Sequence, residues 1–180
     1  INAEGAAWIL TRKLIGRNLP KRLSAIQFEL KGLKNLETDF VEIYLGNKWA
    51  PGFFAWLIPI DEKTARIGLA TKEKPALKYL ENLLKRHPAL NNRLNQTRIT
   101  RVSGGVVITS GPLKKTYGER FILIGDAAGI VKPTTGGGIV TGCFSAMVAG
   151  AVVAEEISSP SPKLDKYEKS WREFLWKDLY

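Results

Sequence analysis

Residues Phe121 to Ala154 read FILIGDAAGIVKPTTGGGIVTGCFSAMVAGAVVA. Phe121 to Ile124 is an apolar run of strand length, ended by Gly125, Asp126 and two alanines. The chain thus leaves a buried strand and exposes one carboxylate at its carboxyl end, where open α/β sheets hold ligands. After Lys132-Pro-Thr-Thr135, three glycines, Gly136, Gly137 and Gly138, remove side chains just before a helix. Unpaired amides and the positive end of a helix dipole then face an electron-rich ligand edge. Asp126 is the acceptor for ligand hydroxyls.

Within that helix Gly138, Gly142, Ala146, Gly150 and Ala154 recur every four residues as a smooth ridge, which another backbone or a flat ligand can approach closely. No charge occurs from Pro133 to Ala154, so a membrane span enters consideration on length. Its Gly/Ala-dominated composition and the preceding strand and GD turn favour a buried helix of a soluble fold.

At 180 residues the chain suffices for one core, or for a core plus part of a second lobe. Hydrophobic residues make up 44% and charged residues 24%, which argues against general disorder. The single Cys143 excludes an intrachain disulfide and a multi-cysteine metal site, so no metal is expected and a reducing compartment is. Residue 1 is Ile and the only methionine is Met147, which reads as a fragment or trimmed chain, with no signal-peptide pattern over Ile1 to Gly16. The net charge of +10 would suit nucleic acid, an anionic membrane surface or a phosphate-bearing substrate. The basic residues are scattered and accompany no recognition helix or base-stacking motif, so nucleic acid is not expected and a membrane surface or phospholipid is.

Ala6 to Leu14 reads as a short helix. Leu23–Leu30, Phe40–Leu45, Phe53–Ile60 and Thr64–Thr71 alternate apolar and polar residues between turn signals, and Thr97–Thr109 is again extended, which predicts an antiparallel sheet. Pro75 to Arg86 has helical spacing through Leu77, Leu80, Leu83 and Leu84. After the break at Ser158 to Pro162, Leu164 to Tyr180 is a further helix. Its Tyr167, Trp171, Phe174, Leu175, Trp176, Leu179 and Tyr180 are interleaved with lysines and Arg172, which suits a core-packing face or an interfacial one. His87 is expected to cap a helix end, Cys143 to be a small core residue, and Lys132 to be a phosphate contact or a solvated loop residue.

GDAAGIVKPTTGGGI (125–139) resembles the closing flavin motif of the geranylgeranyl reductase family, part of the larger flavoprotein group that includes aromatic hydroxylases. Pro51-Gly-Phe-Phe-Ala-Trp-Leu-Ile-Pro59 is similar to the family's aromatic-x-Trp-x-Phe-Pro signature, with Phe54, Trp56 and Pro59 in place and Ile58 for the usual Phe. Ala3-Glu4-Gly5 resembles its Ala-Asp-Gly turn, with Glu4 for Asp and Trp8 near the usual Ser position. The three matches occur in the expected order, and the family's amino-terminal GxGxxG motif is absent, so the resemblance covers roughly the carboxyl-terminal half of a member.

The resemblance implies an α+β or α/β chain, with an antiparallel substrate-binding sheet plus the last strand and long helix of an FAD-binding Rossmann-like domain. The implied divisions are 1–20, the end of the FAD region; 21–118, the substrate region; 119–158, the closing strand, turn and helix; and 159–180, a carboxyl-terminal helix. FAD is the implied cofactor, held by Gly125, Asp126, Gly136, Gly137, Gly138 and Ile139. Phe54 and Trp56 are the implied wall of a prenyl pocket, and no catalytic residue is singled out. The implied activity is reduction of isoprenoid C=C bonds in geranylgeranyl groups, foremost in archaeal ether-lipid biosynthesis, with NAD(P)H or ferredoxin as electron donor. The implied place is the cytoplasm, peripheral on the inner face of the cell membrane. Two other readings stay open: a flavin-dependent monooxygenase of the wider group, and a non-catalytic basic lipid- or nucleic-acid-binding domain.

Overall fold

A computed structural model describes residues 1–180, which form two compact units: Ile1–Arg22 with Ile108–Tyr180, and Leu23–Val107. The segment 108–118 therefore belongs with the GD turn and the last two helices, not with the sheet as the expected boundary at 118 had it. Residues 159–180 are likewise part of that same unit.

In the second unit, β1 (Leu23–Lys31), β2 (Glu42–Leu45), β3 (Phe54–Pro59), β4 (Thr64–Thr71) and β5 (Arg98–Val107) form one antiparallel sheet of order β2-β3-β4-β1-β5. The first four match segments expected from their alternation, and β5 falls within the segment Thr97–Thr109 expected to be extended. Successive side chains point to opposite faces, so Phe28, Leu30, Ala55, Leu57, Ala65, Ile67 and Leu69 share one buried face. Helix α2 (Ala76–Arg86) lies against β1 and β4 and adds Leu80 and Leu83 to that core. Leu77, expected on the apolar side, stays exposed. Edge strand β2 is fastened by Glu42, which accepts from both terminal nitrogens of Arg93 (2.8 and 2.9 Å) and from the Tyr44 hydroxyl (2.7 Å). The Arg93 hydrogen bonds hold the Glu42 carboxyl below its ordinary range. The other edge, β5, is almost wholly exposed and carries Arg98 and Arg101, charges that discourage further strand pairing.

In the first unit, α1 (Ile9–Ile15), α3 (Ile139–Glu156) and α4 (Asp165–Leu179) surround a core that includes Trp8, Ile122, Leu123, Ile130, Tyr167, Trp171 and Leu175. Phe121–Ile124 does not become a regular strand. It makes single bridges, parallel from Leu123 to Asn2 and antiparallel from Ile122 to Tyr117, because the chain supplies no longer extended neighbour for it. Helix α3 is long and apolar enough, by length and composition, to cross a membrane. It buries Thr141, Ser145, Ala149 and Val152 in the core, while Ala146, Gly150 and Ala154 of the small-residue ridge are exposed.

Candidate functional site

Gly125, Asp126, Gly138 and Ile139 line one concavity of about 280 Å³, together with Ala3, Gly5, Ile124, Gly142 and Cys143. Two of the recognised sequence stretches, 3–5 and 125–139, therefore meet in space. Gly125 has φ +53°, a conformation that side chains resist, and its Cα lies so close to Gly142 that a Cβ on either would contact the other's Cα at 3.6–3.7 Å. The ridge thus acts at its first turn only. Ser145 completes this junction by accepting from the Gly125 amide (3.0 Å) and donating to the Gly142 carbonyl (2.8 Å).

The 132–137 loop closes on itself, Lys132 N–H donating to the Gly137 carbonyl (3.0 Å) and Gly136 N–H to the Lys132 carbonyl (2.9 Å). The Gly137 amide donates to the Thr135 hydroxyl (3.3 Å). Gly136 and Gly137 thus shape the approach without lining the concavity, and the α3 start is left to Gly138 and Ile139, with no side-chain cap. An uncapped helix start keeps donors available to a ligand.

The Asp126 carboxylate is half-buried, takes no hydrogen bond from the chain, and has its pKa raised by burial. A Cβ on Gly138 would lie 3.1 Å from its Oδ1 and 3.3 Å from Val131. An acceptor in search of a donor, a helix start stripped of side chains and a close-packed glycine floor fit a dinucleotide-type cofactor carrying hydroxyls and an electron-rich ring edge.

Asn2, Trp8 and Thr11, none of them an expected site residue, hold this arrangement. Asn2 pairs with the 122–124 segment through Asn2 N–H to the Ile122 carbonyl (2.7 Å) and Ile124 N–H to the Asn2 carbonyl (3.1 Å). Trp8, fully buried at φ +55°, donates its indole N–H to the Asp126 carbonyl (2.8 Å). Thr11 donates to the Ala127 carbonyl (3.2 Å).

Glu4 accepts from the amides of Ile9 and Leu10 (both 2.8 Å) and Thr11 (2.6 Å), doing for α1 what its own N-cap residue does not. Burial pushes the Glu4 carboxyl up, but the Thr11 and Leu10 amides and its side-chain partners outweigh this and bring it from 4.5 to about 2. A depressed folded pKa means the stabilisation is complete above 4.5 and lost as pH falls towards about 2. Glu4→Gln is expected to lower stability by about 1 kcal/mol at neutral pH. It should also remove that part of the acid-induced loss, as read from urea midpoints measured across the same pH range.

On the sheet, Phe54 and Trp56 lie on the face away from α2, half-buried and in edge contact with ring centroids 6.2 Å apart. Trp56 faces Gly68 across the β3–β4 pair and donates its indole N–H to Gln27 Oε1 (2.9 Å) on β1. The indole can cross β4 only because residue 68 has no side chain. A Cβ there would sit 2.8 Å from the indole and 2.8 Å from the Ile26 carbonyl. Gly68→Ala is expected to cost about 1–3 kcal/mol by overpacking. Trp56→Ala should only partly rescue it, since the backbone contact persists; a double-mutant cycle in urea checks this.

His87 accepts from the Ala89 amide (3.3 Å) and so caps the following turn instead of the helix before it, with its imidazole in edge contact with the rings of Tyr44 and Trp49. Cys143 is exposed at the concavity, contrary to the expected core position. Lys132 pairs with Asp178 (3.2 Å). The aromatic and leucine side chains of the carboxyl-terminal segment divide: Tyr167, Trp171, Leu175 and Leu179 are buried, and Phe174, Trp176 and Tyr180 are exposed.

Residues 22–107, which include the whole of the sheet unit, match the family model described as geranylgeranyl reductase catalytic domain. The digeranylgeranylglycerophospholipid reductase of Methanocaldococcus jannaschii is 35% identical over 155 residues, 83% of this chain and 39% of its own length. That of Methanococcus vannielii is 35% identical over 164 residues, 87% of this chain and 42% of its own. The chain therefore spans about two fifths of the length of these curated relatives. Among solved structures, a geranylgeranyl bacteriochlorophyll reductase-like protein of Thermoplasma acidophilum superposes with TM-score 0.73 at 25% identity, over 88% of this chain and 40% of that one. The flavin-dependent brominase Bmp2, 18% identical with TM-score 0.68 over 96% of this chain and 46% of that one, shares the fold.

Proposed function

Because this chain belongs to the geranylgeranyl reductase family, we propose that it is the substrate sheet and flavin-facing part of an FAD-dependent reductase of geranylgeranyl C=C bonds in membrane ether lipids. The observation that carries the cofactor reading is the concavity in which the unpartnered Asp126 carboxylate meets the bare start of α3. Bound FAD would supply a hydride for the alkene. Asp126 would accept from ribityl or ribose hydroxyls, and the Gly138 and Ile139 amides would face the electron-rich ring edge, where the helix dipole favours developing negative charge. Trp8, Glu4, Thr11 and Ser145 act through these groups as positioning residues.

Phe54 and Trp56 offer an aromatic wall without charge, suited to an isoprenoid chain. Burial of such a chain yields about 0.8 kcal/mol per methylene, ample without polar contacts. The electron donor belongs to the class of NAD(P)H or ferredoxin, and the site of action to the inner membrane surface.

The test is anaerobic turnover of digeranylgeranylglyceryl phospholipid, with dithionite as reductant, by a preparation extended to the length of the relatives. Lipid that gains one H2 per double bond is the expected result. Unchanged lipid mass with fully reduced flavin would overturn the substrate reading, and protein that takes up no FAD would overturn the cofactor reading.

A further inference from the structure

On the same sheet face as Phe54 and Trp56, but on its other strands, Gln27, Glu29, Arg66, Arg101 and Ser103 line a pocket of about 190 Å³. Strand register places them in two adjacent rows. Ser103, Gln27, Gly68 and Trp56 oppose one another across β5, β1, β4 and β3, and Arg101, Glu29 and Arg66 do so in the neighbouring row.

The hydrogen bonds already made leave the pocket rich in donors. Gln27 Oε1 is occupied by the Trp56 indole, which fixes the amide's orientation and leaves both Nε2 hydrogens unused. Glu29 accepts from Arg66 Nε (3.3 Å) on one oxygen and from the Thr100 hydroxyl (3.3 Å) on the other. The two terminal nitrogens of Arg66, the whole guanidinium of Arg101 and the Ser103 hydroxyl have no partner in the chain. Two guanidinium groups face one carboxylate, so the pocket keeps an excess positive charge. Convergent, unpaired donors with two arginine forks suit an oxyanion with several acceptor oxygens. Trp56 joins this polar pocket to the aromatic strip, because its N–H reaches Gln27 while its ring touches Phe54.

From this juxtaposition we infer that Arg66 and Arg101, with Gln27 and Ser103, form a subsite for the phosphate group of an amphiphile whose apolar chain runs along Phe54 and Trp56. The inference rests on the prenyl reading of that wall and assigns the polar end of the substrate to the β1–β4–β5 side.

Isothermal titration of the chain 1–180 tests it with three probes: geranylgeranyl phosphate and geranylgeraniol, both below their aggregation limit, and inorganic phosphate. Geranylgeranyl phosphate is expected to bind at least about tenfold tighter than the alcohol, the scale of charge-assisted hydrogen bonds. In Arg66→Gln/Arg101→Gln that advantage should shrink to about threefold or less, with the alcohol's affinity unchanged. Where the double variant does not fold, Arg101→Gln alone, on an exposed edge position without an intramolecular partner, is expected to lose several-fold of the advantage. Equal binding of ester and alcohol by the unaltered chain, an advantage that survives both substitutions, or no binding of any probe overturns the inference. Alcohol binding without a phosphate advantage leaves the prenyl reading standing and removes only the subsite. Arginine-dependent binding of inorganic phosphate, with no affinity for either prenyl compound, keeps the anion subsite and removes the prenyl reading.

Discussion

Trp171→Ala is expected to destabilise the first unit by about 3–5 kcal/mol, the cost of emptying a large fully buried aromatic site. Trp171 is completely inaccessible, and its indole N–H donates to the Thr116 hydroxyl (3.0 Å). Thr116 is held twice by Glu168, through its amide (2.6 Å) and its hydroxyl (2.9 Å), one turn earlier on α4. Tyr167 donates to the Leu123 carbonyl (2.7 Å), so the same helix face grips the segment entering the GD turn. Loss of the indole therefore opens a cavity and frees the 116–123 segment on which Asp126 depends. Trp171→Phe keeps most of the volume and should cost about 1 kcal/mol more than packing alone, for the lost hydrogen bond. Urea unfolding followed by circular dichroism separates the two variants. A Trp171→Ala midpoint within error of the unaltered chain would refute this assignment of the core.

Gly138→Val is expected to weaken FAD retention by at least about tenfold, equivalent to about 1.4 kcal/mol, in the protein extended to the length of its relatives. The valine Cβ would meet Asp126 Oδ1 at 3.1 Å and Val131 at 3.3 Å, displacing the carboxylate and covering the amides at the start of α3. Asp126→Ala should show a similar loss without added bulk. Gly150→Ala is the control on the same helix. Nothing lies within 4 Å of the added Cβ, so flavin content should hold while the helix gains about 0.5–1 kcal/mol. Flavin released on denaturation after gel filtration gives the ratio directly. Equal flavin in Gly138→Val and the unaltered protein would remove the start of α3 from the cofactor site.

Much of this was legible because period and punctuation are local. Four strands of the sheet announce themselves by alternation, the fifth as an extended segment, and α2 by Leu80 and Leu83 at helical spacing. The meeting of Asp126 with Gly138 and Ile139 was readable because only a dozen residues separate them. Long-range partnership was not. Nothing near Trp8 in sequence says that its indole will reach Asp126, 118 positions away, or that the backbone will tolerate φ +55° to place it there. The residues Phe121–Ile124 have strand composition, yet a strand is a property of pairs, and their partners are single residues on Asn2 and Tyr117. Helix α4 shows the limit of composition in another way. Its large apolar side chains look like one face in a list, but 100° per residue puts Tyr167, Trp171 and Leu175 inward and leaves Phe174 and Trp176 outside.

The separation into two cores also distributes the chain's chromophores. Trp8 and Trp171 are enclosed in the first unit, Trp49 and Trp56 are half-buried in the second, and Trp176 stands in solvent. Emission from the shielded indoles thus reports one unit and that from Trp49 and Trp56 the other. With single-tryptophan variants the molecule becomes its own two-channel fluorimeter, able to show whether a ligand on the sheet is sensed by the body that carries the GD turn.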